Sequence, residues 1–225
     1  MKWLLALLPL AAAAPALPNI ELGDAPPPGQ VKIRGVSYGG TGCPQGTMSS
    51  QINADRTIMT LIFDSYIASI GPGIPVTEQR KNCQLNVDIQ YPGGFQYSIL
   101  SADYRGYSAI QKGVSGTLKS TYYFSGQTEQ TSTEYKFDGP TNGDYLKHDE
   151  ADSTSVVWAP CGTNGMLNIN SQVRLTTTNS SATGLLTTDS TDLKFTQVVP
   201  RHWISWLSVN GPWVIDVDAF QWRRC

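Results

Sequence analysis

Residues 83–89 alternate without exception. Cys83, Leu85, Val87 and Ile89 fall on one side, and Gln84, Asn86 and Asp88 on the other. Successive side chains of a strand point to opposite faces, so this register builds one buried and one wetted surface. Tyr91-Pro92-Gly93-Gly94 then ends the strand, because proline donates no hydrogen bond and glycine tolerates positive φ. Phe95, Tyr97 and Ile99 resume the alternation. The stretch 80–107 is therefore expected to contain a hairpin.

The rest of the chain obeys the same grammar. Residues 31–38 alternate weakly and predict a first strand, and 39–44 (GGTGCP) read as a turn delivering Cys43. A phosphate-cradling loop would need a helix and usually a lysine after those glycines, and neither follows. Residues 57–64 (TIMTLIFD) form a continuous apolar run of strand length, bounded by polar turns, and predict a central buried strand. Residues 113–125, 156–158, 166–177 and 193–199 predict further strands, and 127–137, polar on both faces until Tyr135 and Phe137, an edge. By composition, residues 138–152 (DGPTNGDYLKHDEAD) read as a loop. No helical period and no internal repeat occurs. Many short strands with a turn every few residues predict an all-β, single-domain antiparallel β-sandwich, jelly-roll or Ig-like, with a barrel as runner-up.

Placement follows from the termini and the cysteines. Lys2, the apolar run 3–14 and Ala14-Pro15-Ala16 have the form of a secretory signal peptide over residues 1–16. A Pro-rich arm over 17–30 follows, then one domain over 31–225. The apolar run is shorter than the ~20 residues that span a bilayer. All four cysteines, Cys43, Cys83, Cys161 and Cys225, lie beyond the leader, as expected of disulfides in an extracellular chain. Of the three possible connectivities, joining neighbours in chain order (Cys43 with Cys83, Cys161 with Cys225) is preferred. Each bridge is worth roughly 2–4 kcal/mol. Without a CxxC pair, and with only two histidines, no metal site and no cofactor is expected. Asn179-Ser180-Ser181 is a glycosylation sequon at Asn179. Charged residues make up 15% of the chain and the formal net charge is −2. With no run of Lys or Arg, neither nucleic acid nor an anionic membrane is an expected partner.

Seven ordered motifs carry a family resemblance. They are Gly42-Cys43-Pro44-Gln45-Gly46, Ile70-Gly71-Pro72-Gly73, Arg80-Lys81-Asn82-Cys83-Gln84-Leu85, Tyr91-Pro92-Gly93-Gly94-Phe95, Tyr104-Arg105-Gly106-Tyr107, Ser120-Thr121-Tyr122-Tyr123-Phe124 and Leu167-Asn168-Ile169-Asn170. The chain resembles, over about residues 35–199, the small secreted proteins common in filamentous fungi that form domain of unknown function family 4360. The resemblance implies a secreted, disulfide-bonded β protein and carries over no catalytic residues. The C-terminus departs from the family pattern. Residues 200–216 (PRHWISWLSVNGPWVID) hold three of the six tryptophans and, if real, are expected to disturb the approach of Cys225 to its partner. Their composition favours an unspliced intron or gene-model artefact over a real aromatic loop, and a peptide spanning 201–223 in secreted material would rule that out.

Candidate chemistry is sparse. Asp64, Asp88, Asp103 and Glu78 are the carboxylates available for a polysaccharide hydrolase or lyase, which needs two of them facing across a cleft. A Ser–His–Asp set would have to use His148, in the polar loop, or His202, and no GxSxG is present. Asp144, Asp149, Glu150 and Asp152 lack Ca²⁺-loop spacing. Asp103 and Arg105, beside Tyr104 and Tyr107, form the densest cluster, read as a salt-bridged turn. Tyrosines crowd the same half of the chain, and a ring with a hydrogen-bonding tip suits contact with sugars or proteins. Tyr91, Tyr97, Asp103, Tyr104, Arg105 and Tyr107 are thus the candidate binding residues. The residues point to a non-catalytic extracellular protein that contacts a cell-wall polysaccharide or a host extracellular protein. An Asp/Glu-dependent hydrolase or lyase and a passive wall component are the alternatives.

Overall fold

The computed structural model describes residues 26–52, 58–99, 101–150, 157–194 and 220–225. The expected leader, the arm before residue 26 and the 200–216 stretch lie outside them. The first sheet is five-stranded, in the order β1 (Lys32–Gly39), β5 (Arg80–Tyr91), β11 (Thr163–Thr177), β8 (Val114–Phe124), β9 (Gln130–Asp138). The second contains β2 (Met48–Ile52), β3 (Ile58–Phe63), β4 (Ile67–Ile70), β7 (Ser101–Ile110), β10 (Thr141–Glu150), β12 (Gly184–Thr187) and β13 (Ser190–Lys194). Its β12 and β13 follow one another along the same edge of β7, and β4 and β3 follow one another along their far side. Each of these two pairs is one interrupted strand, so the sheet reads β2, β3/β4, β12/β13, β7, β10. Setting aside β1 and β2 at the edges leaves two four-strand sheets between which the chain passes as a double Greek key, the jelly-roll arrangement. This decides against the Ig-like order and against a barrel, since both sheets remain open.

The inward faces supply one shared core. Leu85, Val87 and Ile89 of β5, Leu167 and Ile169 of β11, and Met59, Leu61 and Leu193 of the opposite sheet are all buried in it. Each such side chain is worth roughly 1.5–3 kcal/mol of burial. Cys43 and Cys83 are bonded and fully buried, tying the β1–β2 connection to β5. Cys161 and Cys225 form the other bridge. The strand β14 (Phe220–Arg224) pairs with β6 (Phe95–Ile99) and delivers Cys225 to Cys161. Residues 200–216 therefore do not prevent that bridge, contrary to the expectation from their position.

Four other expectations are corrected. β5 and β6 do not form a hairpin, for β6 pairs with β14 and leads into the second sheet. A hairpin and a crossover between sheets need the same Pro-Gly-Gly chemistry, so the turn alone cannot tell them apart. Residues 141–150 are a full strand despite their loop-like composition. Tyr145 turns inward against Phe137, with ring centroids 4.9 Å apart, while the polar residues fit a strand at the sheet's border. Residues 103–107 are not a turn either but the middle of β7. Within 156–158, the described Val157 and Trp158 contribute only an isolated bridge, Ser98 to Trp158.

Six tyrosines hold phenols that burial pushes upward from the ordinary value of 10.0: Tyr66, Tyr97, Tyr104, Tyr122, Tyr145, and Tyr91, raised to about 12. A raised folded value means the native state keeps its proton where the unfolded chain has lost it. The stabilisation is complete below pH 10 and is lost as pH rises through the folded values. Alkaline titration followed by phenolate absorbance is expected to show these six ionising together, in step with loss of near-ultraviolet dichroism. Gradual ionisation with the fold intact would contradict the packing described.

Candidate functional site

The structure divides the candidate residues between the interior and the surface. Tyr91, Tyr97 and Tyr104 are buried. Tyr97 packs against Tyr91, Phe124 and Trp222 at centroid distances of 5.3, 5.2 and 5.3 Å. The Tyr104 hydroxyl lies 2.6 Å from Thr133 Oγ1, which also sits 3.2 Å from the Tyr122 hydroxyl. Their positions on β5, β6 and β7 turn these rings inward, so they present no face to a ligand. Asp103, Arg105 and Tyr107 point outward from the second sheet. There Asp103 meets His148 Nδ1 at 2.5 Å, Arg105 pairs with Asp192, and Thr60 donates to Asp192 at 2.7 Å. Tyr107 donates to Asn142 at 2.6 Å. Asp103 and Arg105 thus do not bridge one another. Each holds a neighbour on an adjoining strand: His148 of β10 stands directly opposite Asp103, and Asp192 of β13, two positions from the Ser190 opposite Arg105, is the diagonal neighbour of Arg105. Such a ladder of matched charges stitches a sheet together and needs no ligand to account for it.

The candidate carboxylates are scattered. Asp88 lies on the outer side of the first sheet, Asp64 is exposed beyond β3, and Glu78 bridges Lys81 at 2.8 Å. Asp144 and Asp149 stand an odd number of positions apart on β10 and so face opposite ways, and Asp149 accepts a bond from the Glu134 amide. Asn179 is exposed in the turn after β11, its side-chain oxygen accepting from the Ser181 amide at 3.0 Å.

The outer face of the first sheet is the better candidate. A shallow depression of about 580 Å³ crosses β5, β11, β8 and β9, lined among others by Arg80, Lys119, Tyr123, Asn170, Gln172 and Arg174. The register builds it in rows. Gln130, Tyr123, Asn168 and Asn86 stand side by side; then Ser132, Thr121, Asn170 and Gln84; then Glu134, Lys119, Gln172 and Asn82; then Lys136, Thr117, Arg174 and Arg80. From the Tyr123 row to the arginine row is roughly 20 Å at the rise of a strand. Asn168 is buried, its amide donating to Ser125 Oγ at 3.0 Å, and serves the sheet. By contrast, the side chains of Thr117, Thr121, Asn170 and Gln172 make no hydrogen bond among the described residues. The surface therefore offers unengaged hydroxyl and carboxamide donors and acceptors, with a tyrosine ring at one end.

The charges sit at the other end. Glu134 is flanked by Lys119 at 3.4 Å and Lys136 at 3.2 Å. The hydrogen bond from Lys136 is the main influence holding its carboxyl below the usual carboxylate range. Arg80 and Arg174 are direct cross-strand neighbours, and neither has a carboxylate within ion-pair distance among the described residues. The linear sequence has no basic patch. Strand pairing brings four basic side chains together from four strands, two of them held by Glu134.

A family model described as Domain of unknown function (DUF4360) matches residues 29–205. The chain belongs to this family. An "Uncharacterized secreted protein" of Arthroderma benhamiae is 63% identical over 181 residues, covering 80% of this chain and 74% of the relative. This DUF4360 protein is secreted, in agreement with its two disulfides. Among solved structures, that of TmCBM61 in complex with beta-1,4-galactotriose aligns with a TM-score of 0.26 and 11% identity, over 71% of this chain and 88% of that one. A likeness of that size establishes no shared function.

Proposed function

We propose that this protein is a non-catalytic extracellular binding protein that takes up cell-wall polysaccharide along the outer face of its first sheet. The observation that carries the reading is the set of outward side chains Thr117, Thr121, Asn170 and Gln172, which make no hydrogen bond among the described residues and share a face with Tyr123. A carboxamide pairs a donor with an acceptor, and a sugar presents hydroxyls that need both. The ring supplies an apolar surface for the C–H face of a pyranose. These groups stand on paired strands rather than loops, so little ordering is required when ligand binds. No pair of outward carboxylates faces across this depression, where Glu134 is held by two lysines. Binding without bond cleavage is what the surface is equipped to do.

The test is depletion of the oxidised, secreted protein from solution by insoluble chitin, β-glucan, cellulose and pectin, with soluble sugar assayed in the same tubes. Retention on one or more polymers without sugar release is expected. Tyr123→Ala should weaken retention about tenfold, in line with the loss of a stacking and hydrogen-bonding ring worth 1–2 kcal/mol. Oligosaccharide release would contradict the reading and direct attention to the carboxylates. Retention by an extracellular protein instead of any polymer would also contradict it.

A further inference from the structure

Arg80 on β5 and Arg174 on β11 occupy directly opposed register positions and point to the same outer face. Side chains so placed have Cβ atoms ~5 Å apart, and like charges there destabilise a sheet. A carboxylate nearby would normally offset this. The chain has 18 acidic residues and a net charge of −2, yet none of the described ones reaches either guanidinium. Glu134 lines the same depression but is engaged by Lys119 and Lys136. The face therefore holds two adjacent, uncompensated forks whose planar geometry matches a carboxylate bidentately. They do not stand alone. Gln172 and Asn82 form the next row, then Asn170 and Thr121, so an anion on the arginines would continue into a hydroxyl-binding surface.

We infer that the Arg80–Arg174 end of this face receives the carboxylate of a uronic acid unit, and that the polysaccharide bound is a polyuronide. The inference rests on the glycan-binding reading above and adds the class of glycan. A neutral polymer leaves the like-charge pair uncompensated. A sulfated polymer or nucleic acid satisfies the charge but presents no planar carboxylate beside ring hydroxyls for the two forks and the neighbouring carboxamides.

The experiment compares binding of the intact oxidised protein to polygalacturonate, to the same polymer fully methyl-esterified, to dextran sulfate and to duplex DNA, at two salt concentrations. Polygalacturonate is expected to bind best, with at least about a tenfold loss on esterification, matching one charge-assisted contact. The Arg80→Gln, Arg174→Gln double variant should lose the same factor and bind both polymers alike. Both positions are exposed, and relief of repulsion should leave its Tm unchanged or raise it at low salt, so lost binding cannot be laid to misfolding. Equal binding of esterified and free polymer overturns the carboxylate assignment while leaving glycan binding standing. No binding to any glycan overturns both. Tighter binding to dextran sulfate or DNA overturns the selection of a uronate.

Discussion

Alanine at both Cys43 and Cys83 is expected to lower unfolding stability by about 4 kcal/mol, the chain-entropy value for a closed loop of this size. The bridged residues are separated by 40 positions, and the bridge ties the β1–β2 connection to β5, where the alternating register begins. Both sulfurs are buried, so the loss also removes packed volume beside Tyr66, Leu85 and the rest of the core. A loss of this size is a large share of the ~5–15 kcal/mol that a typical domain possesses. Chemical denaturation of the double variant checks it, and a loss below 1 kcal/mol would show that β5 holds its place without the bridge. The second bridge should respond differently. Cys161 and Cys225 are exposed, and thiol exchange requires access to sulfur. Mild reduction followed by alkylation is expected to label Cys161 and Cys225 well before Cys43 and Cys83.

Gly106→Ala is expected to cost about 3 kcal/mol, combining overpacking with a disturbed buried hydrogen bond. Gly106 lies in β7, opposite Tyr145 of β10, at the place where β12 gives way to β13. The Tyr145 hydroxyl donates to the Thr187 carbonyl across the bare glycine. A Cβ at Gly106 would stand 2.4 Å from that carbonyl oxygen and 2.7 Å from the hydroxyl. Neither can withdraw easily, one being backbone and the other the end of a ring packed against Phe137. Tyr145→Phe removes the hydroxyl alone and should cost only about 1 kcal/mol. If the alanine variant proved as stable as the tyrosine variant, the close approach would not be what demands glycine here.

This position shows what the sequence held and what it hid. Tyr104-Arg105-Gly106-Tyr107 stands out as a motif, but its cause is a carbonyl eighty residues further along. Alternation at 83–89 and 166–177 was legible because one strand's pattern is a local property. In the second stretch Leu167, Ile169, Val173 and Leu175 alternate with Asn168, Asn170, Gln172 and Arg174, a pattern that puts the polar set on the wet side. What one strand cannot disclose is its neighbour. β5 and β11 pair across roughly eighty residues, and only that pairing sets Arg174 beside Arg80 and both beside Thr117. The same gap explains the tyrosines. Composition gathered Tyr91, Tyr97 and Tyr104 into one candidate surface, whereas alternation already sent part of such a set inward. Tyr123, one position from the buried Tyr122, is the ring that faces out on the polar sheet. For residues 141–150, the asparagine, glycine and aspartate of a loop coincide with the polar outward positions of a border strand, and Tyr145 was the only inward-facing aromatic to mark the difference.

The central claim is that ligand occupies the outer face of the first sheet. Backbone amide shifts on titration with a soluble oligosaccharide of the retained polymer test it most directly. The account predicts changes concentrated at residues 117–123 of β8, 170–174 of β11 and around Arg80, with β7 and β10 unmoved. Changes centred instead on Asp103, Arg105 and His148 of the second sheet would contradict it.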